Sequence, residues 1–282
     1  MHIQPIRLHN DEPPIALILG TGDIASAIGR ELFLARWGVV MLRDEAVPVM
    51  RRGMAFDDAL EDGVTQLDGV WGARAALPEM LPTLARGREA VVVARLDPAV
   101  VIAACRGVAR VLIDARMRKY AAPADLRPLA DRAIGVGPGF AAGENVDVAI
   151  ETLPGQEGDI ISHGPTATPT GRSVPLGGAK EERFACALIA GPWDPWVVPG
   201  TWVEAGTPLG FLGERKLYAP IDGCVRGIVR PMPNGVARGA KLAELDPRPG
   251  APCTGVPPRA GRIAAGVQRA VGALLPVRPV LA

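Results

Sequence analysis

The sequence predicts an α/β protein, with a Rossmann-like N-terminal domain followed by a small β domain. Three observations predict it. The apolar run from Ile15 to Leu19 opens into the glycine turn Gly20-Thr21-Gly22-Asp23 and then a segment of helical period, the start of a βαβ unit. Beyond Pro154 the chain changes to short apolar pieces separated by glycine and proline, the pattern of compact β structure. Within that second half one segment repeats at a nearly constant offset.

Taken in order, residues 1–14 read as a flexible tail and 15–152 as the Rossmann-like domain. Ile24, Ala27, Ile28, Leu32 and Phe33 share a helical period from Asp23 to Leu34, and Gly38 stops that helix before the buried-strand run Val39 to Leu42. Asp68-Gly69, at the centre of VTQLDGVWGARA, predicts a small antiparallel hairpin. Further strands are expected at Ala90 to Ala94, Val108 to Ile113 and Ala133 to Val136, with a helix from Pro98 to Cys105. Residues 153–182 form a Gly/Pro-rich connection and 183–247 the β domain. A C-terminal helix and tail complete 248–282, the helix carried by Ile263, Val267, Val271 and Leu274.

The repeat aligns Ala187 to Gly191 with Ala219 to Gly223, and Val203 to Leu209 with Val236 to Leu242. A duplicated unit with an A-P-x-D-G turn resembles the barrel-sandwich hybrid of biotinyl and lipoyl carrier domains. Carriers present a modified lysine at a hairpin tip. The turn after Lys216 lacks the residues that flank such a lysine, so the fold is expected without the prosthetic group.

Composition narrows the function. The 31 basic and 30 acidic residues nearly cancel, to +1, with no basic block, and only 4% of residues are aromatic. Neither nucleic acid nor membrane is expected as a partner. The four cysteines form no Cys-x-x-Cys pair and the three histidines are scattered, so no metal site is expected. The N-terminal stretch carries early charges and no apolar h-region, and no run is long enough to span a bilayer, so a cytoplasmic location with reduced thiols is expected.

The candidate site residues lie at strand ends. Gly20, Thr21, Gly22 and Asp23, with Ala25, occupy the place of a dinucleotide fingerprint: Gly20 for the tight turn, Gly22 for close approach of a pyrophosphate, and the helix N-terminus for its charge. Asp23 is a good helix cap, and its carboxylate would repel a phosphate placed there. Asp44, closing the second strand, is placed to bond ribose hydroxyls. Arg51 and Arg52 either clamp anionic groups or begin a solvated helix. Asp114 either accepts a ligand hydroxyl, orients Lys119, or pairs with a neighbouring arginine. Gly135, Gly137, Gly139 and Gly143, with Phe140, form either a second anion cradle facing the same ligand or a set of structural turns.

With those residues in hand, the chain resembles the YqeB-type accessory proteins of the selenium-dependent molybdenum hydroxylase system. It shares their G-x-G-D-x-A turn (Gly20 to Ala25), R-R-x-x-x-F segment (Arg51 to Phe56), D-A-x-x-x-K strand end (Asp114 to Lys119) and the long glycine signature from Ile134 to Thr152. A-P-I-D-G-x-x-R-G (Ala219 to Gly227) and D-P-R (Asp246 to Arg248) follow. The resemblance implies a maturation factor for molybdenum hydroxylases. Its ligand would be a nucleotide or the molybdenum cofactor, and its partners the hydroxylase or its cofactor-supply proteins. Pro154-Gly155-Gln156 stands where the family has R-G-H, which removes the best general acid–base candidate. The alternatives are an NAD(P)-dependent oxidoreductase, with Lys119, Tyr120 and Asp114 as its polar groups, and a non-catalytic docking scaffold.

Overall fold

The computed structural model describes residues 12–119 and 121–274. Tyr120, residues 1–11 of the expected tail, and residues 275–282 lie outside the described residues. The chain first builds a wide sheet. Strands β1 (Ile15–Leu19) and β2 (Gly38–Leu42) are buried along their whole length and pair in parallel, as continuous apolar runs do when both faces are covered. Helix α1 (Asp23–Leu34) crosses between them and buries Ile24, Ala27, Ile28 and Leu32. The short α2 (Ala59–Asp62) leads into a hairpin of β3 (Val64–Leu67) and β4 (Val70–Ala75), turned by Asp68 and Gly69 at positive φ.

Helix α3 (Leu81–Gly87), β5 (Val91–Ala94), α4 (Pro98–Ala104) and β6 (Ala109–Asp114) follow, each helix with a proline in its first turn. Then come β7 (Arg132–Val136), β8 (Ala141–Ala142), β9 (Val148–Ile150), β10 (Ile160–Ile161) and β11 (Gly164–Pro165), with β8 and β11 paired to each other. The main sheet has the order β10-β9-β7-β6-β1-β2-β5-β4-β3. Every pair from β9 to β4 is parallel, and both edge strands, β10 and β3, are antiparallel.

The second half contributes β12 (Phe184–Cys186), β13 (Gly191–Pro195), β14 (Trp202–Val203), β15 (Pro208–Leu212), β16 (Arg215–Tyr218), β17 (Gly223–Ile228), β18 (Met232–Val236) and β19 (Lys241–Asp246). They form two four-stranded antiparallel sheets, β12-β19-β17-β14 and β16-β15-β13-β18. Both sheets enclose one apolar core, with Trp193, Leu209, Val225 and Leu242 buried in it. The indole N–H of Trp193 donates to the Val229 carbonyl at 3.0 Å, which satisfies the one polar atom that ring brings inside. Segments equated by the sequence repeat take matching places in opposite sheets: Val203 is in β14 and Val236 in β18, Leu209 in β15 and Leu242 in β19.

This architecture corrects the expected fold class. The molecule is not a clear Rossmann-like domain followed by a biotinyl/lipoyl-type barrel-sandwich hybrid. It is a nine-stranded mixed sheet joined to a pair of curled antiparallel sheets. The sheet gains antiparallel strands at both edges, one of them, β10, from within the stretch expected to be a connection. Apolar runs report burial, and burial does not say which neighbour a strand takes or in which direction.

Helix α5 (Pro258–Leu274) returns to the first half. It buries Ile263, Val267 and Val271 against the sheet face that α1 also covers, while α3 and α4 cover the other. It comes so close to the 155–158 turn that a Cβ on Gly266 would lie 2.2 Å from the Gly158 carbonyl oxygen. The two halves meet along residues 50–53. Gly227 of β17 lies against the Met50 carbonyl and Gly53 against the Cys253 carbonyl, where a Cβ would fall 2.7 and 2.5 Å from the respective oxygens. Arg230 reaches across to Asp58 at 2.8 Å and Asp62 at 2.5 Å.

Candidate functional site

The carboxyl ends of β1, β2 and β6 and the start of β19 surround a cavity of about 460 Å³. Its floor is the glycine turn. Gly20 has φ +112°, and a Cβ there would press on the Ala115 carbonyl oxygen at 3.0 Å, so the turn is built against the end of β6. Thr21 is buried and its hydroxyl donates to Asp57 at 2.5 Å. Asp57 also binds Arg43. Burial pushes the Asp57 carboxyl above the ordinary range, and Arg43 and Thr21 pull the other way. The Ser26 hydroxyl donates to the Thr21 carbonyl at 3.0 Å and accepts the Phe56 N–H at 2.9 Å, fastening the turn to the segment after β2.

Gly22 caps α1 in extended backbone (φ −68°, ψ 179°), and no side chain caps the helix. The first-turn amides therefore face the cavity with the positive end of the helix dipole. A Cβ on Gly22 would meet nothing within 4 Å. Asp23 turns its carboxylate to Arg51 at 2.7 Å.

Arg51 ties this floor to the second half. Its Nε and Nη2 donate to Glu244 at 2.6 and 3.0 Å. Glu244, on β19, also receives Arg183 at 2.9 Å and Arg226 at 3.4 Å, and is fully buried. Burial alone would raise its carboxyl, but the arginines outweigh it and hold Glu244 down to about 2. Arg51 is half-buried, and Asp23 and Glu244 more than offset the cost of that, keeping it firmly protonated.

Of the residues the sequence singled out, Gly20, Thr21, Gly22, Asp23, Asp44, Arg51 and Lys119 line this cavity. Asp44 is not open to a ribose: it accepts Arg118 Nε at 2.6 Å and Nη2 at 2.5 Å, and Arg118 together with the Ala46 amide keeps it ionised against burial. Arg52 lies outside the cavity and pairs with Asp58 at 3.1 Å. Asp114 also lies outside, with its carboxylate taken by Arg116 at 2.5 Å, the neighbouring-arginine alternative.

The second glycine loop does not face the first. Phe140 folds back over Gly135, where a Cβ would lie 2.1 Å from the ring carbon Cγ. Gly137 lies against Met117 and Thr152, and Gly139 against Pro123. Gly143 turns the chain at φ +86°, its N–H donating to Val146. The Gly137 N–H goes to Ile150, the Thr166 hydroxyl goes to the Gly137 and Phe140 carbonyls, and Asn145 closes the turn at both ends. Gly135, Gly137, Gly139, Phe140 and Gly143 therefore pack as a turn against their own loop and its neighbours, none of them lines the cavity, and the Gly137 and Gly143 amides already have acceptors.

The cavity has walls the sequence did not single out: Met50, Met117, Phe184 and Lys241. Glu244 and Arg183 were missed as well. Their signal is weak, since a glutamate 61 positions from Arg183 and 193 from Arg51 announces nothing until the chain folds. Among the described residues no three His, Cys, Asp or Glu side chains gather to hold a metal ion, and no helix is long and apolar enough to cross a membrane. The four cysteines are unpaired thiols.

No family model matches the chain. It is similar to the uncharacterized protein YqeB of Escherichia coli, 32% identical over 278 residues. The match covers 95% of this chain and 49% of that protein, so the chain spans about half the length of the curated relative it matches. Among solved structures, a succinylglutamate desuccinylase/aspartoacylase from Rhodobacter sphaeroides overlaps it at TM-score 0.25, with 14% identity over 83% of this chain and 85% of the other. An aspartoacylase family protein from Mesorhizobium loti gives TM-score 0.25 at 10% identity, again over 83% and 85%.

Proposed function

We propose that this chain is a ligand-binding accessory protein. Its cavity takes a nucleotide-bearing or otherwise phosphorylated small molecule, and the YqeB-type resemblance points to a form of the molybdenum cofactor carried as cargo for a molybdenum hydroxylase. The observation that carries the binding reading is Gly22. Its backbone angles suit any residue and the protein leaves open space beside it, so the fold does not require glycine there. A ligand pressed against the uncapped first turn of α1 does require it. The apolar walls at Val47, Pro48, Met117 and Phe184 suit the flat body of a nucleobase or pterin.

The carboxylates that face the cavity are engaged by arginines, Asp23 by Arg51 and Asp44 by Arg118, an arrangement that favours holding a ligand over moving its protons. The oxidoreductase reading has less support, because Asp44 is bound by Arg118 where a ribose would need it. Calorimetric titration of ADP and of molybdopterin forms into the protein and its Gly22→Ser variant tests the proposal. Serine is a better cap than glycine, so the variant stays folded, and its side chain enters the cavity. Binding by the wild type and its loss in the variant is the expected result. Equal affinity in both, or none in the wild type, sinks the proposal.

A further inference from the structure

Charge is distributed unevenly around the cavity. Arg51 is neutralised by Asp23 and Glu244, and Arg116 by Asp114. Lys119 and Lys241 line the same space, and neither forms an ion pair among the described residues. They come from different halves, Lys119 from the loop after β6 and Lys241 from the first position of β19. Lys241 is held in place: its ammonium sits 3.6 Å over the Phe184 ring and 3.4 Å from the Ser173 hydroxyl. Its nearest carboxylate influence, Glu244, is already surrounded by Arg51, Arg183 and Arg226. Partial burial lowers both lysines, with Arg259 and Arg51 adding for Lys119, and Lys119 itself adding for Lys241.

Two ammonium groups that repel each other across one cavity are stabilised together by a single group carrying two negative charges. A carboxylate, with one, would satisfy only half of the pair. Resting on the cavity being a ligand site, we propose that Lys119 and Lys241 close on one dianionic phosphate, a phosphate monoester or the end of a diphosphate, and so join the two halves of the chain through the ligand.

Pyrophosphate, inorganic phosphate and acetate are the probes, titrated calorimetrically into the full chain and into Lys119→Gln, Lys241→Gln and, as a control, Lys216→Gln. Both cavity lysines are exposed at its rim, so their glutamine variants keep the fold, which thermal melting verifies. Pyrophosphate should bind the wild type and the control alike, weaken about tenfold in each cavity variant, and outcompete acetate. Pyrophosphate should also protect Lys119 and Lys241 together from acetylation by an N-hydroxysuccinimide ester, read by mass spectrometry. Failure of the wild type to bind pyrophosphate or phosphate overturns the clamp, as does affinity unchanged within twofold in both cavity variants. If nucleotide binding is still lost in Gly22→Ser, the cavity reading survives that failure. If Gly22→Ser binds nucleotide normally, both fall.

Discussion

Replacing Glu244 by glutamine removes one charge from the centre of the molecule. The carboxylate is fully buried and answers Arg51, Arg183 and Arg226, of which Arg183 is itself buried. A glutamate that titrates near 4.5 when unfolded and at about 2 in the fold contributes about 3 kcal/mol at neutral pH. Breaking a buried pair from one side costs a similar amount, about 3–5 kcal/mol. The sign follows from the lowered value: the contribution is complete above the unfolded value, declines as pH falls through the interval, and vanishes below the folded value. Glu244→Gln should therefore be less stable than wild type by about 3 kcal/mol at pH 7, and the gap should narrow by about 2 kcal/mol at pH 3, where much of the wild-type advantage has been titrated away. Urea denaturation of both proteins at the two pH values measures this. Equal stability at pH 7, or a gap that ignores pH, would refute the view that Glu244 holds the halves together as an ion.

Three further outcomes follow from the same geometry. Gly20→Ala forces a side chain into φ +112° and against Ala115, and should cost about 1–3 kcal/mol in thermal or chemical denaturation, where a neutral result would count against the turn geometry. Asp57→Asn leaves Arg43 with the exposed Glu45, at 3.5 Å, in place of its buried charge partner beneath the glycine turn; a loss of about 1–3 kcal/mol is expected, together with faster hydrogen exchange at Thr21 and Gly22. Gly266→Ala and Gly272→Ala form an internal comparison on α5. The first drives a methyl into the Gly158 backbone and should destabilise, whereas the second meets nothing and should stabilise by up to about 1 kcal/mol through helix propensity, so equal effects would contradict the packing of α5.

The parts of the fold legible in the sequence were those set by local chemistry. Ile15–Leu19 and Gly38–Leu42 are buried on both faces and say so in their composition; Asp68-Gly69 makes its own hairpin; α1 shows its period. Strand partners are set by tertiary packing, so neither the antiparallel addition of β10 nor the division of the second half into two sheets could be read from the chain. The site divided in the same way. Gly20 to Asp23 form the cavity floor because a strand, a tight turn and a helix start are contiguous in sequence. Whether Asp44, Asp114 and Arg52 were free to meet a ligand depended on Arg118, Arg116 and Asp58, and composition cannot rank such pairings. The glycines from Gly135 to Gly143 stayed ambiguous for a related reason: glycine permits a cradle and a self-packed turn equally, and the packing of Phe140 over Gly135 is visible only in the fold.

The position of α5 bears on how this protein is made. One face of the main sheet is completed by residues 258–274, which emerge from the ribosome only after both antiparallel sheets. During synthesis Val148 and Ile150 of β9, against which α5 packs, can be collapsed but not fully covered, and a nascent chain in that condition is a natural client for chaperones. With parallel pairings that also span long stretches of sequence, folding should be slow, and its last step should be the seating of a helix that covers the same sheet face as α1, the helix at the cavity floor. Ligand-binding competence would then report that translation has passed residue 274.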